Sequence, residues 1–283
     1  MIDEQARDTP VVKLQRLVPA GCGAVWLKLE TRSPNATVMD RVARHLARAA
    51  ADRDGDGVWR EAADGALAVA VAMQGALRGR AVEAYLPEDT PLEVRQSLIT
   101  YGAKVILTPF AGGGAGALAA ARQAGEVLSD RFPGARSEAM AEVGRELLAA
   151  MDRIDAFVAP VATGATLSAI GRLLRAKFPR VLLVAVRPFG EAWRPHRQHG
   201  VLPQELTLLL DPGLVSSTEW VDDLTAWKMR ERLGREEGLL LSAGTAAGVE
   251  AACRVARALG PDARVCALAA DTGERSFSVA EQL

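Results

Sequence analysis

The chain has 283 residues, of which 49% are hydrophobic and 24% charged, and its formal net charge is −1. This near-neutral balance gives no electrostatic attraction for nucleic acid or an anionic membrane, and an aromatic content of 5% gives no platform for stacking bases. No apolar run approaches the roughly 20 residues that span a bilayer. The composition therefore predicts a globular protein with one large or two medium domains.

Short apolar runs alternate with segments of helical periodicity along the whole chain. Six such β/α alternations predict an α/β fold with parallel sheets and helices on both faces. The predicted strands are Val25–Leu29, Ala81–Leu86, Lys104–Leu107, Ile154–Val161, Val181–Arg187 and Arg264–Ala269. The predicted helices are Val38–Ala51, Ala66–Leu77, Leu92–Tyr101, Ala115–Ser129, Ser137–Met151, Thr166–Phe178, Val221–Glu237 and Ala246–Leu259.

The stretch Lys28–Arg41 joins the end of the first strand to the first helix through a polar turn. Thr37 is the predicted N-cap, and Asp40 is expected to interact with the positive end of the helix. α/β proteins commonly build anion and cofactor sites at such a junction. The basic residues of the helix are interpreted as a solvated stripe: Arg41, Arg44 and Arg48.

The cysteines and histidines do not indicate a metal site. Cys22, Cys253 and Cys266 are scattered and odd in number, which is typical of a reducing compartment, so we expect a cytoplasmic protein. The polar, acidic start of the chain does not resemble a secretory signal. His196 and His199 form a His-x-x-His pair that we interpret as part of a solvated loop.

Six separated stretches point, in order along the chain, to one family of proteins. They are Thr9–Leu14, Lys28–Arg41, Leu86–Glu88 with Gly102–Pro109, Ala162–Thr166, Glu236–Leu240 and Asp271–Arg275. In these stretches the chain resembles the cysteine synthases (O-acetylserine sulfhydrylases) and the related cystathionine β-synthases. These are pyridoxal-phosphate (PLP) enzymes of the tryptophan-synthase-β fold. The resemblance extends from about residue 9 to about residue 278.

The resemblance implies two interleaved, doubly wound α/β domains with mostly parallel sheets and an active site in the cleft between them. It places residues 1–39 and 152–283 in a larger domain and residues 40–151 in a smaller one. It also implies a homodimer.

The residue that carries the family's chemistry is missing. In the family a lysine within the motif Ser-Val-Lys-Asp-Arg holds PLP as a Schiff base. The matching stretch here is Thr37–Arg41, which puts Met39 at the lysine position. A thioether forms no imine and is no base at neutral pH, so Met39 is expected to pack into a gap. Lys28, on a strand where the family also carries a lysine, is not expected to replace it.

The family's substrate-carboxylate loop, Thr-Ser-Gly-Asn-Thr-Gly, corresponds to Ala63–Ala68. Both threonine hydroxyls and the asparagine are absent, and Asp64 would repel a carboxylate. The remnant Asp64, Gly65 and Ala66 is therefore expected to be a plain loop that opens a helix. The family also carries an extra Gln-Phe and Asn-Pro-rich stretch between Pro109 and Ile154, whereas here Phe132–Arg136 leads straight into a helix.

The cofactor-phosphate loop, Gly-Thr-Gly-Gly-Thr in the family, is better preserved as Ala162–Thr166. Thr163, Gly164 and Thr166 remain as candidate phosphate ligands. The methyl groups of Ala162 and Ala165 are either harmless or block a phosphate, depending on the backbone. Thr245 corresponds to the residue that meets the pyridine nitrogen, but it equally fits the N-cap of the helix Ala246–Leu259, which we favour.

These changes predict a cysteine-synthase-like pseudoenzyme with no catalytic residue and no metal. We expect no cofactor; PLP or a phosphate anion would bind only non-covalently, at the vestigial site Thr163, Gly164, Thr166 and Thr245. The predicted activity is binding, as a homodimer, of the peptide tail of a partner enzyme or of an active paralogue. The alternative is a residual enzyme that makes cysteine from O-acetylserine and sulfide with PLP held non-covalently.

Overall fold

The computed structural model describes residues 7–51, 57–62, 65–188 and 209–280. In chain order its strands are β1 Val11–Lys13, β2 Ala24–Leu29, β3 Trp59–Ala62, β4 Val82–Pro87, β5 Lys104–Thr108, β6 Ala156–Pro160, β7 Leu182–Pro188, β8 Ser217–Val221 and β9 Arg264–Ala269. Its α-helices are α1 Met39–Ala51, α2 Gly65–Arg78, α3 Leu92–Thr100, α4 Gly113–Ala124, α5 Leu128–Arg131, α6 Ala135–Ala150, α7 Ala165–Lys177, α8 Asp223–Arg232, α9 Ala243–Leu259 and α10 Phe277–Ala280.

The chain divides into two compact units. The larger comprises Asp8–Arg32 and Met140–Glu274, and the smaller comprises Met1–Arg7, Ser33–Ala139 and Arg275–Leu283. The predicted domain boundaries fell at 39/40 and 151/152. The observed units differ from these predicted domains for three reasons. The turn before α1 bonds to that helix through Asn35 and Asp40, so it belongs to the smaller unit. Glu146 on α6 bonds to Lys28 of the larger unit, and Arg275 donates to the Asn35 carbonyl of the smaller unit.

The larger unit is built on a six-stranded sheet in the order β1-β2-β9-β6-β7-β8. Every neighbouring pair is parallel except β1 with β2. The residues of β6 and β9 are almost all buried, as parallel strands covered on both faces require. Helix α9 packs on this sheet with an alanine-rich surface, which lets its backbone approach closely: at Gly248 an added Cβ would lie 3.1 Å from the Pro160 Cδ of β6.

The smaller unit is built on a three-stranded parallel sheet in the order β3-β4-β5. Helix α2 is buried from Leu67 to Gly75 and contacts both α1 and α3. Among the described residues, no helix combines the length and apolar character needed to cross a membrane.

The predicted fold class, α/β with mostly parallel sheets, is confirmed. Each of the six predicted strands agrees with an observed strand to within two residues at either end. The helix predicted over Ala115–Ser129 is broken at Gly125, where φ is 156° and the Arg60 guanidinium packs against the backbone. Glycine tolerates this conformation, so α4 ends there and α5 begins three residues later.

Glu237 anchors the segment that follows β1 within the larger unit. It lies at the end of the π-helical turn Leu233–Glu237, and its carboxylate accepts N–H bonds from Gln15 at 3.0 Å, Arg16 at 2.7 Å and Leu17 at 2.8 Å. Burial pushes the pKa of Glu237 up, but these donors outweigh it and hold the pKa below its ordinary value of 4.5. The ionised carboxylate therefore stabilises the fold.

We predict that Glu237→Gln lowers the free energy of unfolding by about 1–3 kcal/mol at pH 7, because hydrogen bonds to a charged acceptor are lost. A lowered pKa contributes stability above the unfolded-state pKa, and that contribution is lost as the pH falls through the folded-state value. The difference between variant and wild type should therefore shrink below pH 4.5. Urea unfolding of both proteins at pH 7 and pH 3.5 measures this difference in the free energy of unfolding.

Glu236→Gln is the matched control, since Glu236 is the preceding residue and forms an i,i+4 ion pair with Arg232, one turn away. This exposed i,i+4 pair should matter much less than the Glu237 carboxylate. Equal effects of the two substitutions would contradict the anchoring role.

Candidate functional site

The turn before α1 is held by a buried network centred on Asp40, which is 0% exposed. The Asp40 carboxylate accepts from Ser33 Oγ at 2.8 Å, from the Asn35 N–H at 2.8 Å and from Asn35 Nδ2 at 2.7 Å. The Asn35 side-chain oxygen accepts from the Tyr101 hydroxyl at 2.8 Å. Burial raises the pKa of Asp40, although the bonds from Asn35 and Ser33 and the charge of Arg275 act to lower it. The turn is thus rigidly defined.

Helix α1 begins at Met39, whose N–H donates to Thr37 Oγ1 at 3.3 Å, in keeping with the predicted cap. The Met39 side chain is partly exposed, and its Sδ accepts from Arg136 Nη1 at 3.3 Å. Met39 was expected to fill a gap; the structure instead places it beside a cation. Sequence reasoning missed Arg136, because no local motif marks it and only the tertiary contact brings it to Met39.

The arginines of α1 correct a second expectation. Arg41 and Arg44 are 0% exposed, so the predicted solvated stripe is wrong for both, while Arg48 is exposed as expected. The reason is that α1 is buried on several sides, including positions 40 to 44.

Lys28 belongs to the larger unit and is 1% exposed on β2. Its ammonium donates to the Thr9 carbonyl and to Glu146 Oε2, both at 2.5 Å. A buried lysine held in an ion pair is not a free amine, so Lys28 is poorly suited to hold a cofactor as a Schiff base.

The remnant of the substrate loop is only partly described. Asp64, together with Ala63, lies outside the described residues. Gly65 is the first residue of α2, and Ala66 follows in its first turn. The first N–H groups of a helix have no partner within it, so this segment offers backbone donors.

The phosphate-loop residues lie between β6 and α7 in the larger unit. Gly164 is the N-cap of α7 with φ of 88°, a left-handed conformation. A Cβ at this position would lie 2.4 Å from the Leu210 nitrogen, so glycine is also needed for close approach. The Leu209 N–H donates to the Thr163 carbonyl at 2.8 Å, which fixes this neighbouring segment against the loop. The N-terminus of the 13-residue α7 and the partly exposed Thr163 and Thr166 are the candidate groups for binding an anion here.

The two alanines of the loop cause no backbone strain. Among the described residues, the non-glycine residues with positive φ are Asp8 and Ala36. Ala162 and Ala165 are therefore in ordinary conformations, and the question left open by the sequence is answered for the backbone. Ala165 is 2% exposed, while Thr166 Oγ1 contacts Met140 Sδ at 3.3 Å.

Thr245 is not the N-cap that was favoured. Helix α9 begins at Ala243, and its N-cap is Ser242, whose Oγ accepts from the Thr245 N–H at 3.2 Å. Ser242 Oγ also lies 3.2 Å from Thr245 Oγ1 and can donate to it, which leaves the threonine hydroxyl hydrogen available to a ligand. Thr245 is 2% exposed.

The predicted site residues that the structure describes fall into two sets, one in each unit. Thr163, Gly164, Thr166 and Thr245 belong to the larger unit, where α7 follows β6 directly and α9 packs against the end of β6. Met39, Gly65 and Ala66 belong to the smaller unit. His196 and His199 lie outside the described residues. Among the described residues, no cluster of His, Cys, Asp and Glu could hold a metal.

Parallel α/β sheets with a glycine-containing loop at a strand's carboxyl end define a class of proteins that bind phosphate-bearing ligands. The family model for "Pyridoxal-phosphate dependent enzyme" matches residues 2–271. The chain belongs to this family of PLP-dependent enzymes.

Its relatives include cysteine synthases. It is 30% identical to a probable cysteine synthase of Bacillus subtilis, over 96% of this chain and 94% of that protein. It is 31% identical to a cysteine synthase of Staphylococcus aureus, over 95% and 93%. The solved O-ureido-L-serine synthase matches with a TM-score of 0.89 and 28% identity, covering 98% of this chain and 93% of the other. A lysine-to-alanine variant of that synthase, with O-ureido-L-serine bound, matches with a TM-score of 0.85 and 29% identity.

These findings confirm the resemblance to cysteine synthases and the tryptophan-synthase-β-like fold. They contradict the expectation that the chain binds no cofactor, because the family to which it belongs depends on PLP. The described residues fit this cofactor in part. The Thr163–Thr166 loop fits a phosphate, whereas the thioether of Met39 offers no amine for covalent attachment.

Proposed function

We propose that this chain is a cysteine-synthase-like pseudoenzyme that binds PLP reversibly, through its phosphate loop, and has lost cysteine synthase turnover. The observation that carries the proposal is Met39, which begins α1 and contacts Arg136 where the family's lysine is expected. A methionine neither attaches PLP nor moves a proton at the substrate α-carbon. The finer residue correspondence rests on the motif Thr37–Arg41.

The residues of the larger unit have the chemistry to hold the cofactor. PLP, when bound, supplies the electron sink for reactions at an amino-acid α-carbon. The hydroxyls of Thr163 and Thr166 and the first N–H groups of α7 would bind its phosphate. The hydroxyl of Thr245 would donate to the pyridine nitrogen, because its oxygen already has Ser242 as a donor. None of these groups is a nucleophile for covalent attachment of the cofactor.

One relative supports the binding of a ligand by a protein in which a lysine has been replaced. The O-ureido-L-serine synthase that carries a lysine-to-alanine substitution holds O-ureido-L-serine in its solved structure. By analogy, this chain is proposed to retain ligands that it does not convert. The biological role would then be binding of a partner, the peptide tail of another enzyme or an active paralogue, by a cytoplasmic homodimer.

The experiment is a cysteine-synthesis assay with O-acetylserine and sulfide on PLP-loaded wild type and on Met39→Lys. We predict cysteine at background for wild type. We also expect Met39→Lys to form a borohydride-reducible PLP adduct but to recover less than about 1% of a cysteine synthase's turnover, because the hydroxyls of the substrate loop remain absent.

The Staphylococcus aureus cysteine synthase serves as the positive control. Turnover by wild type above background would overturn the pseudoenzyme proposal in favour of a residual enzyme. Substantial turnover by Met39→Lys would show instead that the single missing amine, and not the altered loop, accounts for the loss.

A further inference from the structure

One buried cation of the larger unit has no partner within the described chain. Arg187, near the carboxyl end of β7, is 7% exposed, and its guanidinium forms no hydrogen bond or ion pair with the described residues. The other buried cations of the described chain all have partners: Lys28, Arg41, Arg44 and Arg230. Taking a cation out of water without pairing it costs free energy, so an arginine in this environment is suited to an anionic ligand.

The pleat of β7 sets the side of the sheet on which Arg187 lies. Val184 and Val186 belong to the hydrophobic cluster that includes residues of α9. Side chains alternate along a strand, so Leu183 and Arg187 lie on the opposite face. Helix α7 covers that face, since a Cβ at Gly171 would lie 2.7 Å from Leu183 Cδ1.

The register of the sheet brings Arg187 next to the phosphate loop. β6 and β7 are parallel, with Pro160 opposite Val186, and the Val161 N–H donates to the Val186 carbonyl at 3.0 Å. Arg187 is therefore the next residue of β7 beyond the point where the chain leaves β6 to form the loop Thr163–Thr166.

The position of Arg187 along the sheet also matches the start of α7, which runs from the loop back to the start of β7. The strand rises about 13 Å from Leu183 to Arg187. The helix rises about 9 Å from Gly171 back to Ala165, its first residue. The first turn of α7 and the loop before it thus lie at the level of Arg187.

The acidic residues of the neighbouring segments already have cationic partners. Asp211, next to the residue that packs against Gly164, bonds to Arg172 at 3.0 Å. Glu219 of β8 pairs with Arg254 of α9 at 3.7 Å, and the strand register puts it on the other face of the sheet from Arg187. Neither carboxylate neutralises the Arg187 guanidinium.

We propose that Arg187 is the phosphate-binding cation of this site, where its guanidinium donates to the phosphate of PLP held by the Thr163–Thr166 loop. This inference rests on the proposed function and assigns to it a residue of β7. The loop offers hydroxyls and N–H groups, which carry only partial charges, whereas a phosphomonoester carries close to two negative charges at pH 7. A planar guanidinium supplies a full charge and can donate to two phosphate oxygens at once.

Arg187→Met is the first test, because a ligand-binding role and a structural role predict opposite changes in stability. Methionine removes the buried charge, so the ligand-free variant should melt at least about 2 °C above wild type. Its PLP affinity should fall about 10-fold or more, because a charge-assisted bond to the phosphate is lost. Thermal unfolding without ligand and absorbance titration with PLP measure the two effects. A ligand-free variant that melts below wild type, or fails to fold, would overturn the proposal.

Arg264→Met is the matched control. Arg264 is the first residue of β9, at the amino edge of the same sheet, and it pairs with Asp152. Its replacement should change PLP affinity by less than about twofold. Arg187→Lys keeps the charge without the planar fork, so its PLP affinity should lie between those of wild type and Arg187→Met. An Arg187→Lys variant that binds PLP no better than Arg187→Met would contradict the role of the charge.

Inorganic phosphate, detected by its stabilisation of the full chain against heat, separates this inference from the proposed function. If phosphate stabilises wild type but not Arg187→Met, and wild type binds no PLP, the role of Arg187 stands and the proposed function fails. If wild type and Arg187→Met bind PLP equally, the proposed function stands and the role of Arg187 is overturned. If wild type binds neither PLP nor phosphate, both fail.

Discussion

Replacing Gly164 with alanine should lower the free energy of unfolding of the larger unit by about 2–5 kcal/mol and abolish PLP binding. The backbone at Gly164 has φ of 88°, which an L-residue adopts only at a cost. The added Cβ would also lie 2.4 Å from the nitrogen and 2.5 Å from the Cα of Leu210. Since these are backbone atoms, relief requires a shift of the chain. Urea unfolding and PLP titration measure both effects.

Gly238→Ala separates the cost of the left-handed backbone conformation from the cost of the steric clash with Leu210. Gly238 lies in the same unit with φ of 70°, but a Cβ there meets nothing within 4 Å. The control should therefore show the conformational cost alone, about 1 kcal/mol, and leave PLP binding intact. Comparable losses in both variants would mean that the approach of Leu210 to the loop does not matter.

Glu146→Leu should lower the free energy of unfolding by about 3–5 kcal/mol, because it leaves the Lys28 ammonium buried without its carboxylate. Lys28 is 1% exposed, and the Thr9 carbonyl would still accept a bond from its ammonium. Glu146 also accepts the Asp8 N–H, so the start of the described chain should loosen as well. Chemical denaturation measures the loss, and hydrogen exchange at residues 8 to 13 reports the loosening.

The double substitution Lys28→Met and Glu146→Leu supplies the control. Removal of both charges avoids the unpaired ammonium, so the double variant should regain much of the stability that Glu146→Leu loses. Additive losses in the double variant would show that packing of the long side chains, and not the ion pair, is responsible.

The sequence predicted the buried parallel strands well, because such strands are uninterrupted apolar runs, as in Arg264–Ala269. It missed three strands for identifiable reasons. β1 has three residues, and β8 is a polar edge strand, Ser217–Val221. β3 contains Glu61, which is 1% exposed because its carboxylate accepts from Ser129, a partner that only tertiary structure supplies.

The candidate site was predictable where it depends on local motifs. Gly164 and the loop around it were found from their pattern, and Met39 from the motif that surrounds it. Arg136 was not found, because it lies 97 residues from Met39 and only the packing of α6 on α1 brings them together. The burial of Arg41 and Arg44 was missed for a similar reason, because it too depends on tertiary packing. The prediction treated α1 as an amphipathic helix, one face of which meets solvent.

The network around Asp40 also has an evolutionary consequence. A substitution at position 40 would leave the donors of Ser33 and Asn35 stranded inside the fold, so it would be purged whatever the chain does. The Met39 side chain is partly exposed and contacts Arg136 outside that network, so position 39 is under a weaker constraint from folding than position 40. Selection for folding alone would therefore preserve Asp40 and its turn whatever residue stands at position 39. In this chain, the presence of Asp40 and its turn thus reports on the demands of folding and not on chemistry.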